Sequence, residues 1–387
     1  MKFYFFALAA RGKGLSGSDR IFIELARRWS MKFPIEIFLW EEGFRMCQRQ
    51  HLKKGRVRFH LVSLGRWQKK IFLLCYISLV IKSIFLAFRL RLENKKSEIV
   101  YSASDFWMDN LPGFILKLRF SKITWIGSWY LSAPNPLIYP QMNSLIYWLS
   151  QKVSLYLMRN YANLIFITSK PDESKFPYHK NHGRIVIVQG GVDLKLVRYW
   201  KEKFKKNPKI YDAVFQGRFH PQKGVMELVD IWQLVVRRNR LAKLIMIGDG
   251  PLIEKLRIKI LKNRLQKNII LTGYKYEGED KFRIFNRSRI VVHPALYDSG
   301  GMAAAEAMAW GLPGVSFNLS SLKTYYPKGM LKARVDDKEE FASLIIKLLN
   351  NSKLYNRVSK DAKELIDKKW EWNKRSQGIL RRIIRNT

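Results

Sequence analysis

The sequence predicts an α/β protein made of two doubly wound, largely parallel sheets. Three observations lead there. Short apolar runs rich in Val, Ile and Phe alternate with amphipathic runs along the whole chain, which is the signature of strands joined by crossover helices. Glycine turns recur where an apolar run meets a helical one, as in RGKGLSGSD at 11–19 and GDGP at 248–251. The pattern also pauses and restarts near residue 200, and 387 residues suffice for two domains.

The first half reads in order. KFYFFALAA (2–10) is strand-like. Its N-terminal position suggests a signal peptide, but the apolar part is short and a glycine loop and helix follow at once. DRIFIELARRWS (19–30) is a helix, because Phe22, Leu25, Ala26 and Trp29 repeat at i, i+3, i+4 and i+7, with Ser18 as its N-cap. IEIFLW, VRFHLVSL, EIVYSAS, KITWIGSW, NLIFITS and RIVIVQGGVD are the further strands, with helical segments between them. Residues 71–88, IFLLCYISLVIKSIFLAF, would span about 27 Å as a helix against a hydrocarbon core of about 30 Å. Lys82 sits inside this run and would cost about 2.5–3.5 kcal/mol near the bilayer centre. A buried or interfacial helix is preferred. Upstream lie Arg45, Arg49, Lys53, Lys54, Arg56, Arg58, Arg66, Lys69 and Lys70. Residues 45–88 are thus either a contact with an anionic membrane surface or an ordinary solvated face.

WKEKFKKNPK (200–209) is charged and lacks an apolar period, which places a linker near 195–210. DAVFQGRF then restarts the strand pattern. GVMELVDIWQLVVRR is a helix, LAKLIMIGDGP a strand and glycine turn, LIEKLRIKILKN a helix and NIILTGY a strand. RIVVHPAL and GVSFN are strands, and KEEFASLIIKLLNN and LYNRVSKDAKELI are helices.

Composition narrows the function classes. The formal net charge is +40, and both halves are basic: residues 1–190 carry 30 Lys/Arg against 11 Asp/Glu, the remainder 41 against 20. That favours phosphorylated ligands, anionic membrane or nucleic acid. No helix-turn-helix, zinc-finger or RNP-like pattern supports specific nucleic-acid binding. Cys47 and Cys75 form neither a disulfide framework nor a metal pattern, which fits a reducing, cytoplasmic compartment.

The most informative stretch is YDSGGMAAAEAMAWGLP (297–313). It follows a strand, turns on Gly300 and Gly301, and opens a helix of good helix formers that Gly311 and Pro313 end. The start of a helix, with its free N–H groups and partial positive charge, favours an anion. Asp298 and Glu306 beside it suit hydroxyls on something attached to that anion. The plain alternative is an alanine-rich packing helix with a polar lip. GRFHPQKG (217–224) sets Arg218 and Lys223 on a loop after a strand, a pair of cations suited to a diphosphate. In a chain this basic, a solvated loop would look the same.

GRFHPQKG, IGDGP, LTGY and D-x7-EAMAWGLP occur in that order and near the spacing found in the retaining glycosyltransferases of family 4, which the chain resembles. GLSGSDRIFIELARRW (14–29) looks like that family's first helix start, QGGVDLKLV (189–197) like its domain junction, and KKWEWNKRSQGILRRII (368–384) like its terminal tryptophan-containing helix. The resemblance implies a GT-B fold with two Rossmann-like domains facing a central cleft. An N-terminal acceptor domain would cover 1–195 and a donor domain 196–369, with a helix at 370–387 returning to the first. It implies transfer of a sugar from a nucleoside-diphosphate sugar to a glycan or lipid-linked acceptor with retention of configuration, without metal or other cofactor. The localisation it implies is cytoplasmic, or peripheral on the inner membrane face. Arg218 and Lys223 would neutralise the diphosphate leaving group. Gly300, Gly301 and Met302, with Ser299, would cradle its phosphates. Glu306 would take the ribose and Asp298 the sugar. Tyr274 would lie by the base. Gly217, Gly248 and Asp249 would line the donor site, and Gly14, Ser16 and Gly17 would face the diphosphate from the other domain. Two departures stand out. Asp298 replaces the family's usual Glu. Gly127, Ser128 and Trp129 stand where a donor-site histidine is common, while His60 and His293 read as structural. A catalytically weak relative that binds sugar nucleotides as a partner subunit is therefore the alternative.

Overall fold

The computed structural model describes residues 1–12, 14–52, 56–63, 72–133, 142–176 and 183–387. The chain divides into two units: residues 1–189 with 373–387, and residues 190–372. Lys53, Lys54, Arg66, Lys69, Lys70 and Ile71, part of the basic and apolar stretch above, lie outside the described residues.

In the first unit the strands are β1 Lys2–Phe6, β2 Ile35–Leu39, β3 Val57–Leu61, β4 Glu98–Ser102, β5 Thr124–Trp129, β6 Leu164–Ile167 and β7 Ile185–Ile187. They pair in parallel in the order β3-β2-β1-β4-β5-β6-β7. The order reverses between β1 and β4, the topological switch point of a doubly wound sheet. Alternation along β1 feeds both faces. Phe3 and Phe5 pack on Trp29 of the helix Gly17–Trp29. Tyr4 and Phe6 join a second cluster with residues of the helices Phe72–Arg89, Trp107–Arg119 and Met142–Tyr161. These three helices therefore share one face of the sheet.

The first strand ends at Phe6, earlier than its apolar run suggests. The cause is Asp109, whose carboxylate accepts the N–H groups of Leu8 (2.6 Å) and Ala9 (3.2 Å) and the hydroxyl of Ser104 (2.6 Å). The chain turns at the switch point on this buried group. Burial pushes the Asp109 carboxyl up to about 8, against the hydrogen bonds that favour its charged form. Between the unfolded value of about 3.9 and this one, the folded state holds a proton the unfolded chain has released. Stability then falls as pH rises through that window, and Asp109→Asn should flatten the fall by up to about 1.4 kcal/mol per pH unit. Thermal melts of both proteins across the window test this.

The N-cap of Gly17–Trp29 is Ser16, not Ser18. Ser16 Oγ accepts from Asp19 N (3.2 Å), and Asp19 Oδ2 accepts from Ser16 N (3.0 Å). The reciprocal capping box outcompetes a serine placed two residues further in. The same face of the unit is closed by the helix Trp372–Asn386, where Arg28 Nε donates to Asn373 Oδ1 (2.8 Å) and Trp29 Nε1 to Ser376 O (3.1 Å).

The second unit begins with a correction. The expected linker is mostly the helix Leu194–Lys203, capped by Asp193 and packed through Leu194, Val197 and Phe204. Its apolar positions lie on both sides of residue 200, so residues 200–209 alone show no period. The strands follow: β8 Tyr211–Gln216, β9 Leu244–Ile247, β10 Ile269–Leu271, β11 Ser288–His293, β12 Gly314–Phe317 and β13 Met330–Ala333. All are parallel, in the order β10-β9-β8-β11-β12-β13. The second switch point lies between β8 and β11. Their carboxyl ends lead into GRFHPQKG and into the Asp298–Glu306 segment.

Candidate functional site

The site is built from loops at the carboxyl ends of β8, β9, β10 and β11. Backbone contacts stitch them together. Gly217 N donates to Ile247 O (3.0 Å), Phe219 N to Asp249 O (2.9 Å) and Gly248 N to Gly273 O (3.0 Å). GDGP is thus a joint between neighbouring turns, and its Asp249 side chain is exposed. On the other side Leu296 N donates to Gln222 O (3.0 Å) and Gln222 Nε2 to Tyr297 O (3.2 Å). Gly224 makes that approach feasible. Its φ is +62°, and a Cβ there would lie 1.9 Å from Pro294 O, so both conformation and space demand glycine.

Asp298 is the hub. Lys223 Nζ lies 2.6 Å from its Oδ2, and His293 Nε2 is 3.0 Å from the same oxygen. Gly300 N and Gly301 N both donate to Oδ1 at 3.1 Å. A carboxylate offers about four lone-pair positions, so the carboxylate is fully engaged by these contacts. Burial alone would raise the Asp298 pKa, but the Lys223 ammonium and the hydrogen bond from His293 hold it well below the usual carboxylate range. Gly301 has φ +60° and is hemmed in by Leu322 and His293. Ser321 Oγ donates to Asp298 O (2.5 Å) and Tyr326 Oη to Gly301 O (2.7 Å). The glycine turn is therefore fixed from both sides before the helix Met302–Met308 begins.

Glu306 lies on that helix. Its Oε2 is ion-paired with the buried Lys281 and accepts from Gln216 Nε2 at 2.9 Å. Its Oε1 has no partner among the described residues, so this oxygen is free to accept. Arg218 is exposed, and its guanidinium makes no hydrogen bond or ion pair with any described residue, although its carbonyl accepts from His220 N (2.8 Å). It lies close enough, with Lys223, to act on His220: burial first, then these two cations, push that imidazole's pKa down. The structure thus brings Arg218, Lys223, Asp298, Ser299, Gly300, Gly301, Met302 and Glu306 onto two adjoining strand ends. Tyr274, half-buried after β10, packs edge-on against Tyr276 at 4.9 Å.

Sequence reading missed three members. His293 was read as structural, yet it contacts Asp298 directly. Its place at the end of β11, five residues before Asp298, was the available signal. Lys281 and Gln216 carried no signal of their own. In the first unit Gly14 and Gly17 are exposed with open space beside them, and Ser16 is engaged in its cap. At Gly127 a Cβ would fall 2.6 Å from Met158, and Ser128 Oγ donates to Ser102 O (2.6 Å). A histidine has no room there. His60 stacks on Phe38 at 4.6 Å, a packing role.

Known proteins resemble this chain in sequence and in fold. Residues 198–365 match the family model of the glycosyl transferases group 1. An uncharacterized glycosyltransferase of Methanocaldococcus jannaschii is 27% identical over 289 residues, 72% of each chain. The UDP-Gal:alpha-D-GlcNAc-diphosphoundecaprenol alpha-1,3-galactosyltransferase of Escherichia coli is 24% identical over 47% of this chain and 49% of its own. Among solved structures, Anabaena HepE in complex with UDP and glucose superposes with a TM-score of 0.72 at 15% identity, covering 98% of both chains. TarM of S. aureus, in a complex with UDP, gives 0.73 at 12%, covering 99% of both. At such identities these structures establish the fold alone, which is GT-B. The chain thus has the GT-B fold, its residues 198–365 match the glycosyl transferases group 1, and the relatives it resembles in sequence are named as glycosyltransferases.

Proposed function

We infer that the chain transfers a sugar from a nucleoside-diphosphate sugar to a glycan or lipid-linked acceptor, with retention of configuration and without a metal ion. The observation that carries this is the pairing of an unpartnered, exposed Arg218 with Lys223 at the switch point of the second sheet. These are two cations where a diphosphate would sit, Lys223 held by Asp298 and Arg218 free to reach the ligand, able to offset the charge that grows on the leaving group. Relatives named for UDP-linked donors and for polymer or lipid-diphosphate acceptors support the substrate classes. Glu306 takes the ribose hydroxyls through Oε1, with Lys281 and Gln216 holding Oε2. Asp298 orders Lys223 and the glycine turn. A sugar hydroxyl reaches the Asp298 carboxylate only in exchange for one of its present donors, whereas the Lys223 ammonium keeps further N–H groups for a phosphate oxygen. Met302 N, at the start of its helix, complements the phosphates.

A thermal-shift screen of nucleoside diphosphates and nucleotide sugars tests the reading. A ligand that binds only the folded state stabilises it by about 2.7 kcal/mol at a hundredfold excess over Kd. One base family should produce a shift. Glu306→Gln should weaken that ligand by about tenfold or more, the loss of a charge-assisted hydrogen bond. No shift with any nucleotide, or an undiminished shift in the variant, would reject the assignment.

A further inference from the structure

The first unit carries an apolar surface that the donor site does not use. On the helix Phe72–Arg89, Leu74, Ile77, Ile81, Phe85 and Phe88 are exposed, with Phe85 at 60% and Phe88 at 57%. Their spacing of three and four puts them on one stripe of the helix. The helix Met142–Tyr161 repeats the device with Leu145, Leu149, Val153 and Tyr156. Between them Trp107–Arg119 exposes Leu118 at 58%. All three helices lie on one face of the sheet, so side chains exposed on them point away from it and form a single outer surface. Soluble monomers rarely leave so extended an apolar face uncovered.

The exposed charge on these three helices has one sign; Glu93, exposed just beyond Arg91, is paired with Lys95. Residues 72–92 and 142–161 contain no Asp or Glu. The lone acid of Trp107–Arg119 is Asp109, which is buried on Leu8 and Ala9. Cations rim the face: Arg89, Arg91, Arg119 and Lys152 are exposed. Arg119 lies against Phe88 (6.0 Å) and Lys152 over Trp148 (3.6 Å), so apolar rings and charged heads share one level. Among the described residues no helix is long and apolar enough to cross a membrane. An apolar face with aromatic residues, a predominantly cationic rim and no exposed carboxylate on its helices matches the interface of an anionic bilayer. It does not match a second copy of the chain. A two-fold contact would set the same cations against each other in a protein of net charge +40.

We propose that the outer face of these three helices docks the protein in the plane of an anionic lipid surface, with the apolar stripe at the acyl boundary and the Lys/Arg rim among the headgroups. This deepens the transferase reading by giving a lipid-linked acceptor a place to be met, and it stands on observations separate from the donor site.

Flotation of the full chain, without nucleotide, tests it. The protein should float with vesicles containing phosphatidylglycerol and not with phosphatidylcholine alone. Ile81→Glu with Phe85→Glu should lower the partition coefficient by about tenfold or more. Binding that is unchanged in the double variant would overturn the proposal, because it would be due to charge elsewhere on the chain. So would no flotation, or a wild-type dimer in solution that the double variant splits. Since Cys47 and Cys75 are both buried, Phe85→Cys carries one accessible thiol for a polarity-sensitive dye. Its emission should shift to the blue on the anionic vesicles, a readout that survives if the double variant misfolds; no shift would also overturn the proposal. Arg218→Ala should float like the wild type, so the docking face and the donor site fail separately.

Discussion

Arg218→Ala should lower the rate of sugar transfer by about 10²–10³-fold, the loss typical of removing one preorganised charge from a developing anion. Its melting temperature should not move. Both halves of that expectation come from one fact: Arg218 is exposed and its guanidinium has no hydrogen-bond or ion-pair partner among the described residues, so the fold has little to lose with it. Surface changes of this kind usually alter stability by less than about 0.5 kcal/mol. Lys223 is the contrasting case. It lies 2.6 Å from the buried Asp298, so Lys223→Ala removes a catalytic cation and strips a buried carboxylate of its partner together. Arg218→Ala with Lys223→Ala should leave no measurable transfer, but only the single Arg218 change isolates catalysis from folding. Steady-state rates with a donor identified by thermal shift, set beside melts of the same preparations, decide it. A rate within threefold of wild type for Arg218→Ala would remove this residue from the leaving-group role.

Asp298→Asn should act through stability first. The carboxylate holds Lys223, His293 and two glycine N–H groups, and its side chain is only 8% exposed. Removing one member of a buried charged pair costs about 3–5 kcal/mol, and the amide leaves Lys223 without its counter-charge. The pH dependence has a definite sign. The folded pKa of Asp298 lies well below its unfolded value of about 3.9. Its contribution is therefore complete above that unfolded value and is lost as pH falls from there through the folded pKa. The stability gap between wild type and Asp298→Asn should be widest near neutrality and close in acid. A gap that grew as pH fell would mean that Asp298 is not held as a carboxylate.

Much of this was legible in the sequence, for identifiable reasons. GRFHPQKG and DSGG announce themselves because a glycine at positive φ or in close approach has few substitutes, as Gly224 against Pro294 O shows. The strands of both sheets other than β13 are readable from buried apolar runs such as RIVVH. What was not legible divides into two kinds. Short elements with weak signals were passed over: β13 Met330–Ala333 has no β-branched residue, and Leu194–Lys203 hides its apolar period among lysines. Partners brought in from far along the chain were also invisible. Lys281 meets Glu306, and Gln216 meets the same carboxylate across 90 residues. No local pattern encodes either meeting. His293 lay in plain view but was read by residue type, since a lone histidine after an apolar strand is usually packing. The topology makes it otherwise, because β11 is one of the two strands at the switch point.

The discontinuity of the first unit bears on how the protein is made. Residues 190–372 form an uninterrupted stretch with a complete sheet, so this unit can fold as soon as it leaves the ribosome. The first unit, although synthesised earlier, must wait. Until residues 373–387 emerge, the indole of Trp29 lacks its acceptor on Ser376 and the guanidinium of Arg28 lacks Asn373. Synthesis order and completion order are therefore reversed, and for that interval the older half is the one open to chaperones and proteases.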